Sequence, residues 1–356
     1  MKILIVGLGG VGQRHARNLR SLLSGRLELL AYRVRGLTQV IGPTLEVDTN
    51  RNVENELDIQ AFPDLGSALA HRPDIAFICN PTSLHVETAM ACLERGCDLF
   101  IEKALSDRLH GVDELIHAAE RMQRIVMVGY QFRFHPCVRT LRAVIESGVL
   151  GDIVAVRAVI GEYLPGWHPY EDYRESYAAK ASLGGGVVLT QVHEFDYLYA
   201  LFGPIKSVYA LGGHWSRLDI DVEDVASILM EGTIANRPLP IHLHQDYLQV
   251  PAVRQCEVVG DQGKAVIDFR SLSVTVTAFK STVAPIVHSF PDFDRNRLFI
   301  DEIQHFLACV ENRTRPIVDL RDGVQSLKTA LAVKQSIASR TIVDLSQVDL
   351  ASPLRQ

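Results

Sequence analysis

Three glycines near the amino terminus, spaced as G-x-G-x-x-G, constrain this chain more than any other feature. Gly7, Gly9 and Gly12 follow a short apolar run at residues 2–6 and precede a segment whose apolar residues recur at helical spacing. In such a strand-turn-helix unit the first glycine allows a tight turn, the second lets a pyrophosphate approach the backbone, and the third lets helix and strand pack closely. A purely structural turn is the alternative. The context favours a dinucleotide site formed by Gly7, Leu8, Gly9, Gly10, Val11 and Gly12.

Strands and helices alternate over the first 130 residues. Apolar runs that indicate strands lie at residues 2–6, 27–34, 58–62, 74–79, 98–101 and 124–130. Helical patterns lie between them at residues 11–22, 64–72, 82–96 and 107–122. Parallel strands joined by right-handed helical crossovers form a doubly wound sheet. We therefore predict a doubly wound α/β domain at residues 1–130.

After Tyr130 the predicted strands become longer and alternate in polarity. They lie at residues 152–163, 205–213, 224–232, 239–249, 254–269 and 272–279. This alternation is typical of an antiparallel sheet with one covered face. Two helical patterns, at 298–310 and 324–331, are expected to cover that face or the domain junction. The prediction for residues 131–356 is an α+β domain with a largely antiparallel open sheet.

Composition and charge exclude several classes of function. The chain has 36 Lys plus Arg against 42 Asp plus Glu, and this net charge of −6 offers no electrostatic footprint for nucleic acid or an anionic membrane. No apolar stretch reaches the roughly 18 residues of a spanning helix, so we expect no membrane partner and a cytoplasmic location. The six cysteines show no C-x-x-C spacing, and free thiols fit a reducing compartment.

The end of the second predicted strand bears on the choice of coenzyme. A site that prefers NAD places an Asp or Glu there, about 20 residues after the glycines, to bind the ribose hydroxyls. Arg33 and Arg35 stand at that place in the segment AYRVRG. Because strand residues two apart share a face, both guanidinium groups can bind a 2′-phosphate. We therefore expect NADP(H) as the preferred coenzyme, with NAD(H) possible and a solvated basic turn as the alternative interpretation.

Polar residues follow three consecutive predicted strands, at the edge where a doubly wound sheet binds its ligands. Burying an unpaired charge is costly, so Glu102 and Lys103, at the end of an apolar strand, are expected to border the cleft. The residues predicted to line the coenzyme are Asn80, Pro81, Thr82, His85, Glu102, Lys103 and Gln131. Arg133 lies two residues further along and is assigned to the substrate side.

A second polar cluster follows the glycine run Gly184–Gly186 in the segment SLGGGVVLTQVHEFDYLYALFG. If residues 187–200 are helical, His193 and Asp196 lie on one face, with Thr190 one turn earlier. A lone histidine on an apolar helix is more often structural. Here the histidine follows a flexible run of glycines and has Lys103 as a possible partner. We therefore predict that His193 is an acid/base group, whose ordinary pKa near 6.5 suits neutral pH.

Five segments, in this order, resemble the Gfo/Idh/MocA family, which is named for glucose-fructose oxidoreductase and inositol dehydrogenase. They are GLGGVGQRH, CNPTSLH, FIEKALS, GYQFRFHP and GGGVVLTQVHEFDYL, and the resemblance covers nearly the whole chain. It implies an NAD(P)-binding Rossmann domain at residues 1–130. For residues 131–356 it implies a substrate-binding domain whose open sheet commonly forms homo-oligomers, here a dimer or tetramer. The implied reaction is oxidation or reduction of a hydroxyl group on a sugar or cyclitol.

The resemblance also implies roles for individual residues. Lys103 matches the lysine of the family's Glu-Lys-Pro, which lies beside the nicotinamide and the reacting oxygen, and His193 matches a common proton-transfer residue. The segment EYLPGWHPYEDYRESY is similar to a subgroup that acts on sugars, often activated ones such as nucleotide-linked sugars. The predicted substrate-side residues are Lys103, Arg133, Tyr163, Trp167, Tyr173, Arg174, Thr190 and His193.

Two residues depart from the family pattern. Ala104 stands where the family has proline, and Thr190 where it often has an acid. A cis bond before alanine costs about 2.5–4 kcal/mol, so we expect a trans Lys103–Ala104 peptide. The departures keep a second hypothesis open, namely a catalytically silent dinucleotide-binding sensor that binds a partner protein.

A third hypothesis comes from the segment HLHQD. His242, His244 and Asp246 lie on one face of a predicted strand, where three ligands could hold the metal ion of a lyase or hydrolase. Polar residues on an exposed strand face are far more common than such a site, so we expect no metal. The favoured interpretation is an NADP-preferring oxidoreductase in which Lys103 binds the reacting oxygen and His193 transfers the proton.

Overall fold

Two large sheets contain most of the strands in the computed structural model, which describes residues 1–23, 25–36, 38–279 and 284–348. The strands are β1 (Lys2–Val6), β2 (Glu28–Tyr32), β3 (Val40–Ile41), β4 (Val47–Asp48), β5 (Ile59–Phe62), β6 (Ile75–Ile78), β7 (Asp98–Glu102), β8 (Val126–Gly129), β9 (Ile153–Gly161), β10 (Ser207–Gly213), β11 (Val225–Ile234), β12 (Arg237–Asp246), β13 (Val253–Gly260), β14 (Gly263–Asp268), β15 (Ser273–Ala278), β16 (Ile286–Ser289) and β17 (Val343–Asp344). The helices are α1 (Gly10–Leu22), α2 (Val53–Leu57), α3 (Leu65–Ala70), α4 (His85–Glu94), α5 (Val112–Arg121), α6 (Pro136–Glu146), α7 (Val187–Thr190), α8 (His193–Phe202), α9 (Asn296–Asn312) and α10 (Leu320–Ser339).

The first sheet is parallel throughout and has the strand order β5-β2-β1-β6-β7-β8. Its central strands are buried on both faces, which explains why β1 and β6 are continuous apolar runs without alternation. Chain order reverses between β1 and β6, so the loops that follow these two strands leave the same edge side by side. The predicted doubly wound sheet is therefore confirmed, and its ligand edge lies at the carboxyl ends of β1, β6 and β7.

The second sheet has nine strands in the order β16-β15-β14-β13-β9-β12-β11-β10-β17. All neighbouring pairs are antiparallel except β9 and β12, which are parallel. One face packs against helices, including α6 and α10, while the other face carries exposed apolar side chains such as Leu229. The predicted strand at 254–269 divides into β13 and β14 at the turn around Asp261 and Gln262. The prediction of a mostly antiparallel open sheet is confirmed.

The two long carboxyl-terminal helices pack against different parts of the molecule. Helix α10 packs against β10 and α8 and reaches β8, so it lies at the junction between the sheets as predicted. Helix α9 instead packs on the first sheet, where Phe306 meets the rings of Phe77 and Phe100 at 5.8 and 5.6 Å. These two rings form an apolar surface that α1 does not cover completely, and α9 closes it. Of the helices in the described ranges, none combines the length and apolar character required to cross a membrane.

Candidate active site

The glycine turn between β1 and α1 has the geometry of a phosphate site. A side chain at Gly7, whose φ is +95°, would lie 2.8 Å from the Cys79 carbonyl oxygen, and one at Gly12 would lie 2.0 Å from the Gly7 oxygen. At Gly9, by contrast, a Cβ atom would meet nothing within 4 Å among the described residues. The first amides of α1 follow Gly9, which caps the helix without a side chain. The open space and the helix amino terminus fit the pyrophosphate of a dinucleotide.

Arg33 and Arg35 lie in the loop after β2, beyond the strand that was expected to align them. Arg33 Nη2 donates to Glu54 Oε1 at the start of α2, and Arg35 Nη1 lies 3.6 Å from Glu171 Oε2. The side chain of Arg33 is mostly buried, whereas that of Arg35 is 67% exposed. Sequence analysis missed Glu54. Its only signal was its position one residue after Val53, the first residue of an Asn52-capped helix.

The loop after β6 is held to the loop after β7 by His85. His85 Nδ1 lies 2.8 Å from the Ala104 carbonyl oxygen, and His85 Nε2 lies 2.8 Å from the Asn80 carbonyl oxygen. Burial lowers the pKa of His85 even though both carbonyls favour a protonated ring. Since both ring nitrogens already bind backbone atoms, the structure gives His85 a positioning function rather than a free face toward the coenzyme.

The other predicted residues of this loop lie at the contact with the second half of the chain. Asn80 Nδ2 donates to Thr88 Oγ1 at 2.9 Å, and Pro81 precedes a short 3₁₀ turn at Thr82–Leu84. A side chain at Gly184 would lie 3.0 Å from Thr82 Cβ, so the first glycine of the triple-glycine run permits this close approach. The glycine-rich segment before α7 therefore packs closely against the loop that follows β6.

Glu102 and Lys103 at the end of β7 have opposite surroundings. Glu102 is buried, with Oε1 2.6 Å from His15 Nε2 and with Oε2 accepting the Lys103 backbone N–H at 3.2 Å. Burial favours a raised pKa for Glu102, but the hydrogen bond and charge of His15, together with Lys103, lower it below the ordinary value. Lys103 extends the other way, and its Nζ donates to the Thr190 carbonyl oxygen at 2.8 Å. Glu102 therefore does not border a cleft as expected, whereas for Lys103 that position stays a prediction.

The Lys103–Ala104 peptide bond is cis, so the expected trans bond is wrong. Ala104 is buried, and its carbonyl oxygen is fixed by His85 Nδ1. The expectation used the preference of an isolated peptide, whereas the packed surroundings of Ala104 determine the isomer here.

His193 begins α8 immediately after a break in the predicted helix at 187–200. The break separates α7 from α8 at Gln191, whose Nε2 donates to the Asp246 carbonyl oxygen at 3.1 Å. In return, Gln245 Nε2 donates to the Gln191 carbonyl oxygen at 2.9 Å. Two side-chain amides thus anchor the helix start to β12. The imidazole of His193 is 6% exposed and stacks on the Phe132 ring at 4.8 Å.

The electrostatic surroundings of His193 differ from the sequence-based expectation. Burial lowers its pKa well below the ordinary 6.5, and the positive charges of Lys103, Arg254 and Arg295 lower it further. The expectation of an unperturbed pKa near neutrality is therefore wrong. An uncharged imidazole at pH 7 can accept a proton, and Nδ1 has no partner within the described part of the chain. Lys103 and His193 thus form a pair of a cation and a neutral base.

Arg254 is a further residue of the site that sequence analysis missed. Its guanidinium lies 3.9 Å from the centroid of the Phe132 ring, and that ring stacks on His193. Two hydrogen bonds of 2.7 and 2.9 Å join Arg254 to Glu194, the residue after His193. Arg254 lies near the start of β13 and no local motif marks it, because the contact depends on how the second sheet folds.

Thr190 and Arg133 have structural partners rather than open faces. Thr190 Oγ1 donates to the Gly186 carbonyl oxygen at 2.8 Å and also bonds Tyr247 Oη, so its backbone carbonyl, not its side chain, meets Lys103. Arg133 binds Asp196 through two hydrogen bonds of 2.7 and 2.8 Å, and both side chains are buried. Thr190 and Arg133 therefore have supporting contacts within the protein, and their contact with a substrate stays a prediction. Gln131 is also buried, and its Oε1 has no partner in the described ranges.

One predicted substrate residue in the segment between β9 and the glycine run is connected to Lys103 through two intervening residues. Trp167 meets the Tyr247 ring edge-on at 5.3 Å, and Tyr247 is joined through Thr190 to Lys103. The other three predicted residues, Tyr163, Tyr173 and Arg174, show no contact with Lys103 or His193 among the described residues. Tyr163 is exposed, Tyr173 Oη accepts the Asp219 N–H at 3.2 Å, and Arg174 binds Asp172.

The HLHQD face does not assemble a three-ligand site in the residues that the structure describes. His244 Nε2 lies 3.2 Å from Asp246 Oδ2, but His242 Nε2 contacts Ser227 Oγ at 3.2 Å instead. Asp246 also accepts hydrogen bonds from the Leu248 backbone N–H and from Gln249. The strand therefore supports the start of α8 through Gln245 and the Asp246 carbonyl, and its histidines lie outside the site.

Comparisons with known proteins place this geometry among nicotinamide enzymes. A profile described as the oxidoreductase family GFO_IDH_MocA, NAD-binding Rossmann fold, matches residues 1–130, and the GFO/IDH/MocA C-terminal domain profile matches residues 138–266. The chain is 24% identical to myo-inositol 2-dehydrogenase of Thermotoga maritima over 98% of this chain and 99% of that protein. It is 24% identical to scyllo-inositol 2-dehydrogenase (NAD(+)) of Bacillus subtilis over 97% and 96% of the two chains. The crystal structure of myo-inositol 2-dehydrogenase from Lactobacillus plantarum superposes with a TM-score of 0.77 at 24% identity, covering 97% of this chain and 99% of that chain.

Proposed function

This chain belongs to the Gfo/Idh/MocA oxidoreductase family, and we propose that it is an NAD(P)-dependent dehydrogenase acting on the CH–OH group of a cyclitol or sugar. One observation carries this proposal: the Lys103 ammonium, bound to the Thr190 carbonyl oxygen, lies near enough to the buried His193 imidazole to lower its pKa. The names of the inositol dehydrogenases that match over nearly the full chain support the substrate class. A nucleotide-linked sugar is the second substrate class, on the grounds of the segment that contains Trp167.

The protein's own residues perform the proton chemistry in this proposal. When bound, a nicotinamide coenzyme accepts or donates the hydride. Lys103 binds the reacting oxygen and stabilises the negative charge that develops as the hydroxyl proton leaves. His193 accepts that proton, since its lowered pKa keeps the imidazole uncharged at pH 7. The Thr190 carbonyl, fixed through α7, holds the Lys103 ammonium in place.

We further propose that the coenzyme site prefers NADP(H) and binds NAD(H) more weakly. Arg33 follows β2 directly, at the strand end where a doubly wound fold binds the adenosine ribose. Arg33 binds the Glu54 carboxylate. A bound 2′-phosphate would have to displace Glu54 from the guanidinium or share the guanidinium with it. A charge-assisted hydrogen bond of about 1.5–3 kcal/mol corresponds to a preference of roughly ten- to a hundredfold.

We also propose a division into domains, an oligomeric state and a location for the protein. Residues 1–130 form the coenzyme-binding domain and residues 131–356 the substrate and oligomerisation domain. A homo-oligomer, dimer or tetramer, assembles through the exposed face of the second sheet, where Tyr209, Leu211 and Leu229 form an apolar patch on β10 and β11. The cytoplasm is the proposed location, supported by the six cysteines, which have no disulfide partner in the described structure.

A coenzyme-coupled assay tests the proposed function. The purified protein is mixed with NAD⁺ or NADP⁺ and with myo-inositol, scyllo-inositol, free hexoses or UDP-linked hexoses, and reduced coenzyme is followed by absorbance. We expect turnover with at least one cyclitol or sugar and none with the Lys103→Ala protein. Tight coenzyme binding without turnover on any of these substrates, in either direction, would favour the silent sensor instead.

A further inference from the structure

A turn from the second half of the chain lies against the start of α1, in the first half. In residues 168–171 the Glu171 backbone N–H donates to the His168 carbonyl oxygen at 3.1 Å, and Tyr170 lies within the turn. A Cβ atom at Gly10, the first residue of α1, would lie 3.0 Å from Tyr170 Oη. The absence of a side chain at Gly10 therefore lets the tyrosine hydroxyl approach the helix closely.

Three contacts hold the turn in this position. The Tyr170 ring stacks on the His168 imidazole, with the ring centroids 5.2 Å apart. His168 Nδ1 lies 3.0 Å from Glu171 Oε1. The other carboxylate oxygen, Glu171 Oε2, lies 3.6 Å from Arg35 Nη1, in the loop that follows β2. An ion pair therefore joins the turn to the half of the molecule that contains the glycine turn.

The hydroxyl group of Tyr170 is free to bind a ligand. It makes no hydrogen bond with any residue that the structure describes. Burial, followed by the negative charge of Glu171, raises the pKa of Tyr170 to about 12. The group is therefore protonated at pH 7, and a protonated hydroxyl can donate one hydrogen bond. Tyr170 thus offers a neutral donor beside the first residue of α1.

The carboxylate of Glu171 does not oppose an anion at this place as strongly as a free acid would. Burial favours a raised pKa for Glu171, but the hydrogen bond and charge of His168, together with Arg35, lower it below the ordinary value. The carboxylate is therefore ionised and paired on both oxygens. Its partners offset its charge, and the hydroxyl of Tyr170 is the group of the turn that faces Gly10.

The position beside this hydroxyl is the one that the glycine turn leaves open. A Cβ atom at Gly9 would meet nothing within 4 Å among the described residues, and Gly10 follows it directly. Phosphate oxygens accept strong, charge-assisted hydrogen bonds from neutral donors. We propose that Tyr170 donates a hydrogen bond to the pyrophosphate of the coenzyme, in addition to the amides of α1, a role that rests on the proposed function. The substrate half of the chain thereby completes the coenzyme site.

Tyr170→Phe tests this role, because it removes only the hydroxyl and keeps the ring that stacks on His168. The dissociation constants of NADPH, NADH and ADP-ribose, measured by calorimetric titration, should each rise about tenfold. The factor should be the same for all three molecules, since they share the pyrophosphate. Tyr209→Phe, on β10 of the second sheet, is the matched control and should leave all three constants unchanged.

Two results would overturn the proposal. The first is an equal dissociation constant for the unmodified and Tyr170→Phe proteins. The second is a loss confined to NADPH and NADH, because the hydroxyl would then contact the nicotinamide side of the coenzyme. Near-ultraviolet circular dichroism of the ligand-free proteins should be identical, and a lost signal in Tyr170→Phe would assign the residue to folding instead. The titrations need no turnover, so a protein that binds coenzyme through Tyr170 but oxidises no cyclitol or sugar would refute the proposed function alone.

Discussion

Glu102 and Lys103 are adjacent in the sequence, yet their side chains lie on opposite sides of one strand end. Glu102 is directed into the interior toward His15, while Lys103 reaches across to the Thr190 carbonyl. Successive side chains along a strand alternate between its two faces, which agrees with this separation. One residue of the pair is therefore available for chemistry, and the other is part of its support.

Lys103→Ala should remove catalysis and spare coenzyme binding. The ammonium stabilises charge on the reacting oxygen, so kcat should fall by about a hundredfold or more. The dissociation constant of the coenzyme, measured by fluorescence titration, should stay within about threefold, because the glycine turn binds the phosphates. Lys2→Ala, at the opposite end of β1, is the matched control and should leave kcat unchanged. A collapse of coenzyme binding in Lys103→Ala would contradict the assigned role.

Arg33 and Glu54 should control coenzyme choice in opposite directions. Arg33→Ala should weaken NADPH binding roughly ten- to a hundredfold and leave NADH affinity unchanged. Glu54→Gln removes the negative charge that pairs with the Arg33 guanidinium, and should strengthen NADPH binding. Titration of both reduced coenzymes against the three proteins measures the effect. Equal affinities of the unmodified protein for NADPH and NADH would remove the basis for this proposal.

The sequence indicates the two proposed reacting residues, Lys103 and His193, more clearly than the residues that contact them. Lys103 and His193 were recognisable because each follows a strand or glycine signal in its own segment. Arg254 was not, since its partner Glu194 lies 60 positions away in the chain and meets it only after folding.

At the level of elements, two glycines of the turn between β1 and α1 should have different effects. Gly12 should matter for the stability of the fold, and Gly9 for the binding of the coenzyme. Gly12→Ala should destabilise the protein by about 1–3 kcal/mol, because the new methyl group would overlap the Gly7 oxygen between β1 and α1. Gly9→Ala meets open space and should leave the free energy of unfolding unchanged within about 0.5 kcal/mol. It should nevertheless weaken coenzyme binding at least tenfold, since the pyrophosphate approaches there. Urea unfolding and coenzyme titration of both variants check the contrast, and unchanged binding by Gly9→Ala would argue against the phosphate site.

The free energy of unfolding should fall in acid because of His135, the residue that caps the amino terminus of helix α6. His135 Nδ1 accepts the Cys137 N–H, which only a neutral ring can do, and burial followed by the charge of Arg254 lowers its pKa from 6.5 to about 3. Below pH 6.5 the unfolded chain binds a proton that the folded chain does not, so stability falls as pH decreases. The loss from this residue is roughly 3 kcal/mol between pH 6.5 and pH 4.

His135→Asn provides a cap that does not titrate. The difference in unfolding free energy between the two proteins should favour the unmodified chain near pH 7 and shift toward the variant as the pH falls to 4. Denaturant unfolding at several pH values measures this difference. A constant difference across that range would mean that His135 titrates equally in the folded and unfolded chains.

The order and type of the helices and strands were largely predictable from the sequence. The positions at which a predicted element is interrupted were not. Continuous apolar runs identified the parallel strands, and alternation identified the antiparallel ones, because each pattern reflects how many faces of a sheet are covered. The segment at 187–200 has helical periodicity throughout, yet it divides at Gln191. The Gln191 side-chain amide donates to the Asp246 carbonyl oxygen of β12, and the Gln245 amide of the same strand donates to the Gln191 carbonyl oxygen. Local periodicity contains no information about such distant partners.

At the scale of the whole molecule, the exposed face of the second sheet should hold the oligomer together. Leu229 is 54% exposed and pairs in register with Tyr209, so an apolar patch remains on the uncovered side. Leu229→Lys should convert the assembled protein to monomers, as measured by light scattering during size-exclusion chromatography. Ile317→Lys, also at an exposed apolar position but between α9 and α10, is the control and should not change the mass. A monomeric unmodified protein would refute the proposed assembly.

The return of α9 to the first sheet has a consequence for protein synthesis. Phe77 and Phe100 are synthesised more than 200 residues before Phe306, which packs against both rings. This part of the first sheet's core is therefore completed only after most of the second sheet has been synthesised. A chain that ended before α9 would leave the Phe77 and Phe100 rings without this cover.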